Sequence, residues 1–233
     1  MVVEKKHVDI IIAWLLIMLS WSIAFSKQDN TLIAAVSLAT ITLLSLTVIL
    51  IYPSFKKVDP FMDELVSKAK KYAIKCHKSV NQKYDGKSYS VHLKMVYKFG
   101  CKFAYLLPVN ANISLVLASL WVHDAIEDAR QTYNDIKAAL GIEIADIAYA
   151  LTNDKGKTRA ERAGNKYYKG INAVEFADFA KICDRLANIS YSVKKGSDMA
   201  KKYKQESVHF KEKLYSEKYK DMFDEMDEIL KNV

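Results

Sequence analysis

The sequence predicts an all-α protein, a helical bundle preceded by an N-terminal two-helix transmembrane hairpin. Three observations carry this expectation. Long uninterrupted apolar sequence is confined to the region before Pro53. From Asp59 onward apolar residues recur at helical spacing, and no strand alternation of useful length appears. Only three prolines and seven glycines occur in 233 residues, so few positions interrupt a helix.

The hairpin comes first in the chain. Residues 31–52 run for 22 positions without a charge, and residues 8–25 form a second apolar stretch that Asp9 shortens. A helix needs about 20 apolar residues to cross a bilayer core. The polar turn SKQDN separates the two stretches. No small-residue cleavage site follows the first, which argues against a removable signal peptide. Lys5, Lys6, Lys56 and Lys57 flank the pair, while the turn carries only Lys27. The positive-inside rule then predicts two spans contacting membrane lipid, with both termini and the following domain cytoplasmic. Three widely spaced cysteines (Cys76, Cys101 and Cys183) form no paired framework, so free thiols in a reducing compartment are expected. The expected division is residues 1–57 as anchor and 58–233 as a functional domain.

The domain reads as successive helices. Asp59-Pro60 offers an N-cap followed by a first-turn proline. Leu65, Ala69, Tyr72 and Cys76 then share a helix face. Ser90 is placed to cap a helix carrying Val91, Met95 and Phe99. Residues 113–122 are almost wholly apolar and predict a central buried helix. Thr132 and Asp135 fit a capping box, and Gly141 a C-terminal stop. Ile144, Ile147, Ala148 and Leu151 mark another helix, as do Phe179, Ile182, Leu186 and Ile189. Asp198 onward predicts a long polar helical tail.

Several of these elements carry chemistry. His123 and Asp124 close the buried segment, where an ionisable pair is costly unless partnered or bound to metal. Neutral imidazole and carboxylate suit first-row divalent metals. Glu127 and Asp128 lie four residues beyond His123 and Asp124, so each pair shares a helical face. A capped helix end with solvated acids would give this cluster as well. Asp184 sits inside an apolar helical pattern with Asn188 one turn on; pairing with Arg185 is its structural alternative. His92 supplies a second imidazole, and its alternative is a packed histidine with one hydrogen bond.

As an ordered set these residues resemble the HD superfamily, and more narrowly the hydrolase domain of RelA/SpoT homologues and stand-alone alarmone hydrolases. Four stretches match in order: HKSVNQKYDGKSYSVH at 77–92, LWVHDAIED at 120–128, LTNDKGKTRAER at 151–162 and KICDRLANI at 181–189. The resemblance covers roughly residues 59–214. It implies an α-helical HD bundle with His92, His123, Asp124 and Asp184 as metal ligands, the metal being manganese. It implies that Glu127 and Asp128 position or deprotonate the attacking water. Asn188 would contact the nucleotide, and Lys83, Tyr84, Lys155 and Arg162 would line the substrate site, the three cations offsetting phosphate charge. The implied activity is hydrolysis of the 3′-pyrophosphate of (p)ppGpp or a related alarmone. The alternatives are a phosphohydrolase for another nucleotide phosphate, or a nucleotide-binding sensor.

The sequence also departs from the family pattern. The family commonly has an Arg-Lys pair where Lys83 and Tyr84 stand, and prolines at the positions of Ser88 and Leu93. Lysine cannot reproduce the bidentate grip of arginine, so substrate contacts are affected more than metal ligands. The net charge of +8 suits an anionic ligand or an anionic membrane surface without choosing between them, and a solvated surface set away from zero charge would give it as well. No aromatic-basic platform points to nucleic acid.

Overall fold

The computed structural model describes residues 59–153 and 156–233. The unit described, apart from residues 154–155, is Phe61–Val233. Its elements are α1 (Glu64–Ser79), a hairpin of β1 (Lys83–Tyr84) and β2 (Lys87–Ser88), α2 (Ser90–Phe103) and α3 (Ile113–Val122). There follow α4 (Ala125–Asp128), α5 (Tyr133–Leu140), α6 (Ile142–Leu151), α7 (Arg159–Arg162) and α8 (Asn165–Asn172). The C-terminal part is α9 (Ala177–Lys195), α10 (Asp198–Leu214) and α11 (Lys220–Leu230). The all-α expectation holds for the described residues, apart from the two-residue strands of the hairpin.

Helix α3 is the axis of the bundle. It packs against α1, α2 and α6, and α9 packs against α2, α10 and α11. Every α3 residue from Val116 to Val122 is buried. Removing a Leu or Val side chain from water stabilises the fold by about 1.5–3 kcal/mol each, which makes this apolar run the natural centre. The close approach of α2 and α3 depends on Gly100, where an added Cβ would lie 2.1 Å from Leu120 Cδ1.

Several local expectations are met. Thr132 and Asp135 form the capping box, and Gly141 ends α5 at φ 103°, in the region that favours glycine. Others are corrected. The first helix starts at Glu64, because Asp63 rather than Asp59 accepts the Val66 N–H, at 2.9 Å. Ser90 does not cap α2: the preceding Tyr89 is already helical, and the Ser90 hydroxyl pairs with that of Ser88 at 2.9 Å. The C-terminal region is not one polar tail. It forms two helices, and α11 buries Met222, Phe223, Met226 and Leu230. Its many acids and lysines occupy the other faces and mask this apolar stripe in the sequence.

The membrane expectation also needs correction. Among the described residues no helix is long and apolar enough to cross a membrane, so two-span placement and the cytoplasmic orientation derived from it are not carried further. Residues 8–25 and 31–52, on which that expectation rested, lie outside the described residues, as does Lys155.

Candidate metal centre and its pocket

Three elements converge on one buried cluster. His92 comes from the first turn of α2, His123 and Asp124 from the junction of α3 and α4, and Asp184 from the middle of α9. His92, His123 and Asp184 each offer a ligand atom within 4.8 Å of the others. The Asp124 carboxylate joins them, with Oδ2 at 2.9 Å from His123 Nε2 and 3.5 Å from His92 Nε2. His92 Nε2 lies 3.3 Å from Asp184 Oδ1.

A break in the helix makes this convergence possible. On a continuous helix, adjacent side chains such as His123 and Asp124 diverge by about 100°. Here α3 ends at Val122, and Asp124 takes φ −101°, ψ 5° before α4 begins. Both side chains can then reach the same point. The expected shared faces are therefore only partly realised. Asp128 remains one turn from Asp124, its N–H donating to the Asp124 carbonyl at 2.8 Å. Glu127 turns outward and accepts from the Asn153 amide at 2.9 Å.

The donor set fits a divalent cation. His123 Nδ1 faces the Leu120 carbonyl at 2.9 Å, so it carries the proton and leaves Nε2 aimed at the cluster. The two Nε2 atoms stand 3.3 Å apart and can share at most one proton between them. Burial raises the cost of charge on Asp124 and Asp184, yet His123 holds Asp124, and Lys181 with the histidines holds Asp184, well below the usual carboxylate range. Burial disfavours protonation of His123, but Asp124 and Asp184 outweigh it and lift its pKa to about 10. A buried carboxylate, Asp184, and a half-buried one, Asp124, thus demand positive charge between them. Imidazolium protons supply it, and a divalent cation would do so equally.

The surroundings fix the carboxylates. The Tyr89 hydroxyl donates to Asp124. Lys181 Nζ lies 3.0 Å from Asp184 Oδ2, and Asn188 Nδ2 donates to Asp184 Oδ1 at 2.6 Å. Asp184 is therefore not paired with Arg185, which instead meets Glu206 at 2.8 Å. His77 is buried beneath the cluster, with neither ring nitrogen partnered, and stacks on Tyr89 at 4.4 Å. Burial lowers its pKa to about 4.

Above the cluster opens a cavity of about 780 Å³. Its walls include Glu127, Asp128, Asn153, Arg159, Arg162 and Lys202. Burial, followed by the Asp124 and Glu127 charges, raises Asp128 to about 6. Arg159 is shared with Glu206, its Nε lying 2.8 Å from Oε1. Arg162 and Asn188 line the cavity, while Lys83 and Tyr84 are absent from its lining. Tyr84 instead stacks on the His92 ring. Sequence reasoning did not select Tyr89, Asn153, Lys181 or Lys202. The three-residue spacing of Lys181 and Asp184 was the one signal available in advance for this group.

A helical bundle with this donor set resembles an HD-type domain, and the comparisons with known proteins point the same way. No family model matches the sequence. The chain is 27% identical over 148 residues to the probable guanosine-3′,5′-bis(diphosphate) 3′-pyrophosphohydrolase of Mycoplasma pneumoniae, a match covering 58% of this chain and 19% of that protein. It is 27% identical over 78 residues to the guanosine-3′,5′-bis(diphosphate) 3′-pyrophosphohydrolase MESH1 of Danio rerio, covering 34% of this chain and 43% of that one. The chain thus matches less than half the length of these curated relatives. The solved structure of a metazoan ortholog of SpoT that hydrolyses ppGpp shares the fold, with a TM-score of 0.59, 18% identity, and coverage of 74% of this chain and 97% of that chain. The resemblance read from the motifs therefore stands: this chain is similar to the HD-type alarmone hydrolases.

Proposed function

We propose that residues 58–233 form a metal-dependent phosphohydrolase that removes the 3′-pyrophosphate from (p)ppGpp or a related alarmone. The observation that carries this reading is the meeting of His92, His123, Asp124 and Asp184 in one cluster, all but His123 lining a cavity walled by acids and cations. The curated relatives, named for that reaction, support the choice of substrate.

His92, His123, Asp124 and Asp184 would hold the cation, for which we favour manganese. A bound divalent cation supplies Lewis acidity, polarising a phosphoryl oxygen and acidifying water. The remaining work falls to side chains. Asp128, with its raised pKa, is suited to take a proton from the attacking water near neutral pH. Glu127, held by Asn153 at the rim, positions that water or shares in its deprotonation. Arg162 offsets phosphate charge from the cavity wall, as a preorganised cation does. The expectation that Lys83 and Lys155 assist is retained as part of this proposal.

A second reading draws on the hairpin. Tyr84, where the family commonly has lysine, packs on His92 rather than lining the cavity. That favours the alternative of another nucleotide phosphate as substrate. Incubating the full chain with Mn²⁺ and a nucleotide panel decides between them. Pyrophosphate release from ppGpp supports the first reading. Turnover of a different nucleotide with ppGpp untouched moves the assignment to the second, and no turnover with any divalent metal overturns both.

A further inference from the structure

The β1–β2 hairpin, where this chain departs from the family it resembles, is clipped onto α9. Tyr191 donates to Asp85 at 2.7 Å, and Lys195 Nζ reaches the same carboxylate at 2.9 Å. Between these contacts and the cluster stands Tyr84, half-buried, its ring 4.9 Å from that of His92 and inclined by only 19°. Its hydroxyl donates to Asn188 Oδ1 at 3.0 Å.

We propose that Tyr84 is a positioning residue for the metal centre, fixing His92 through its ring and Asp184 through Asn188. The inference rests on the metal-site reading above. Two independent observations carry it. The first concerns His92. A metal-ligating histidine is ordinarily oriented by a hydrogen bond from its other ring nitrogen. His123 has that bond, to the Leu120 carbonyl, but His92 Nδ1 is buried without a partner. The stacked Tyr84 ring is what sets the plane of the His92 imidazole in its place. The second concerns Asn188. The Tyr84 O–H donates to the carbonyl end of the Asn188 amide and so supports the orientation that the acceptor-only Asp184 carboxylate requires. The amide nitrogen is then turned to Asp184, where it reaches Oδ1 at 2.6 Å and the backbone carbonyl at 3.1 Å. That bond, with Lys181 on Oδ2, leaves Asp184 one orientation toward the imidazoles. A lysine at position 84 has neither a ring to stack nor a hydroxyl to donate in this geometry. Position 84 then serves the metal centre, and phosphate charge is met by cations that line the cavity, Arg162 among them.

The test is Mn²⁺ titration by calorimetry on the full chain, with steady-state kinetics at saturating Mn²⁺ beside it. Loss of a group that orients a ligand costs roughly 10- to 100-fold in metal affinity, and Tyr84→Ala should fall in that range. Tyr84→Phe keeps the ring and loses the hydroxyl, so a weakening of about tenfold is expected, at the lower end of the same range. In an Asn188→Ala background the same Tyr84→Phe change should add nothing further, because the hydroxyl acts through Asn188. KM for the nucleotide at saturating Mn²⁺ should stay at the parental value. Thermal unfolding of the metal-free variants checks the fold, and if Tyr84→Ala does not fold, Tyr84→Phe decides. A parent chain that binds no Mn²⁺ overturns the metal-site reading itself. A parent that binds, with both variants at parental affinity or with KM raised instead, overturns the positioning role alone.

Discussion

At the scale of single residues, the carboxylates of the site divide by what holds them. Asp184 has both oxygens engaged, by Lys181 and Asn188, and faces two imidazoles across the cluster. Glu127 is exposed and held by Asn153. Asp184→Ala should therefore abolish tight Mn²⁺ binding and activity together. Glu127→Ala should keep its metal while turnover falls, about 10²- to 10⁴-fold if Glu127 serves in proton transfer. Elemental analysis of both purified variants, with turnover measured alongside, checks this; the opposite pattern would exchange their roles. Asp128 makes a separate prediction about pH. Its pKa is raised to about 6 by burial and by the neighbouring Asp124 and Glu127 charges. It is protonated, and unable to accept a proton, below that value, so kcat/KM should climb as pH rises through about 6 and then level. Asp128→Asn should remove that limb. Persistence of the same limb in the variant would assign it to another group.

The elements show what the sequence made legible and where it stopped. The buried run 113–122, the Thr132–Asp135 cap and the Gly141 stop were readable because each is a local rule with a local cause. The ordered residues His92, His123, Asp124 and Asp184 were readable as a set, and the structure brings them together. The break at Asp124 was not, since nothing in LWVHDAIED forbids a continuous helix; packing imposes it. Tyr89 and Asn153 were missed because they act from other elements, across contacts that only the fold creates, whereas Lys181 stands one turn before Asp184 on α9 and only that spacing marked it. The apolar stripe of α11 was hidden among charged residues. Gly100 belongs to this scale as well. It lets α2, which carries His92, lie against α3, which leads to His123. Alanine there would press its Cβ to 2.1 Å from Leu120 Cδ1 and 3.0 Å from Leu117 Cδ2. Overpacking typically costs about 1–3 kcal/mol, of which alanine's better helix propensity offsets up to about 1 kcal/mol. Gly100→Ala should thus lower stability by about 1 kcal/mol, within roughly 0–2 kcal/mol once the full propensity offset is taken, in denaturant unfolding. A stability above the parent's would show that the α2–α3 contact has slack.

At the scale of the whole molecule, the proposed metal would tie together segments far apart in the chain. His92 stands on α2, His123 and Asp124 at the α3–α4 junction, and Asp184 on α9. These helices otherwise meet through apolar contacts, and α9 packs on both α2 and α3. In the unfolded chain the four side chains are dispersed and offer no preformed cage. A cation that binds the folded form alone stabilises it by mass action, by about 2.7 kcal/mol at a free concentration one hundred times Kd. For a domain of 150–250 residues each kcal/mol moves Tm by about 2–4 °C. Saturating Mn²⁺ should therefore raise the melting temperature of the full chain by roughly 5–10 °C, taking the two relations together. A chelator should reverse the shift. Asp184→Ala should remove nearly all of it, because that variant loses the one ligand contributed by α9. Glu127→Ala should retain it, because Glu127 sits at the rim. The shift depends on binding rather than turnover, so it tests the cluster whatever nucleotide the cavity accepts. A parent whose Tm ignores Mn²⁺, Zn²⁺ and Mg²⁺ alike would mean that the carboxylates are neutralised by the imidazolium protons and Lys181 without a metal.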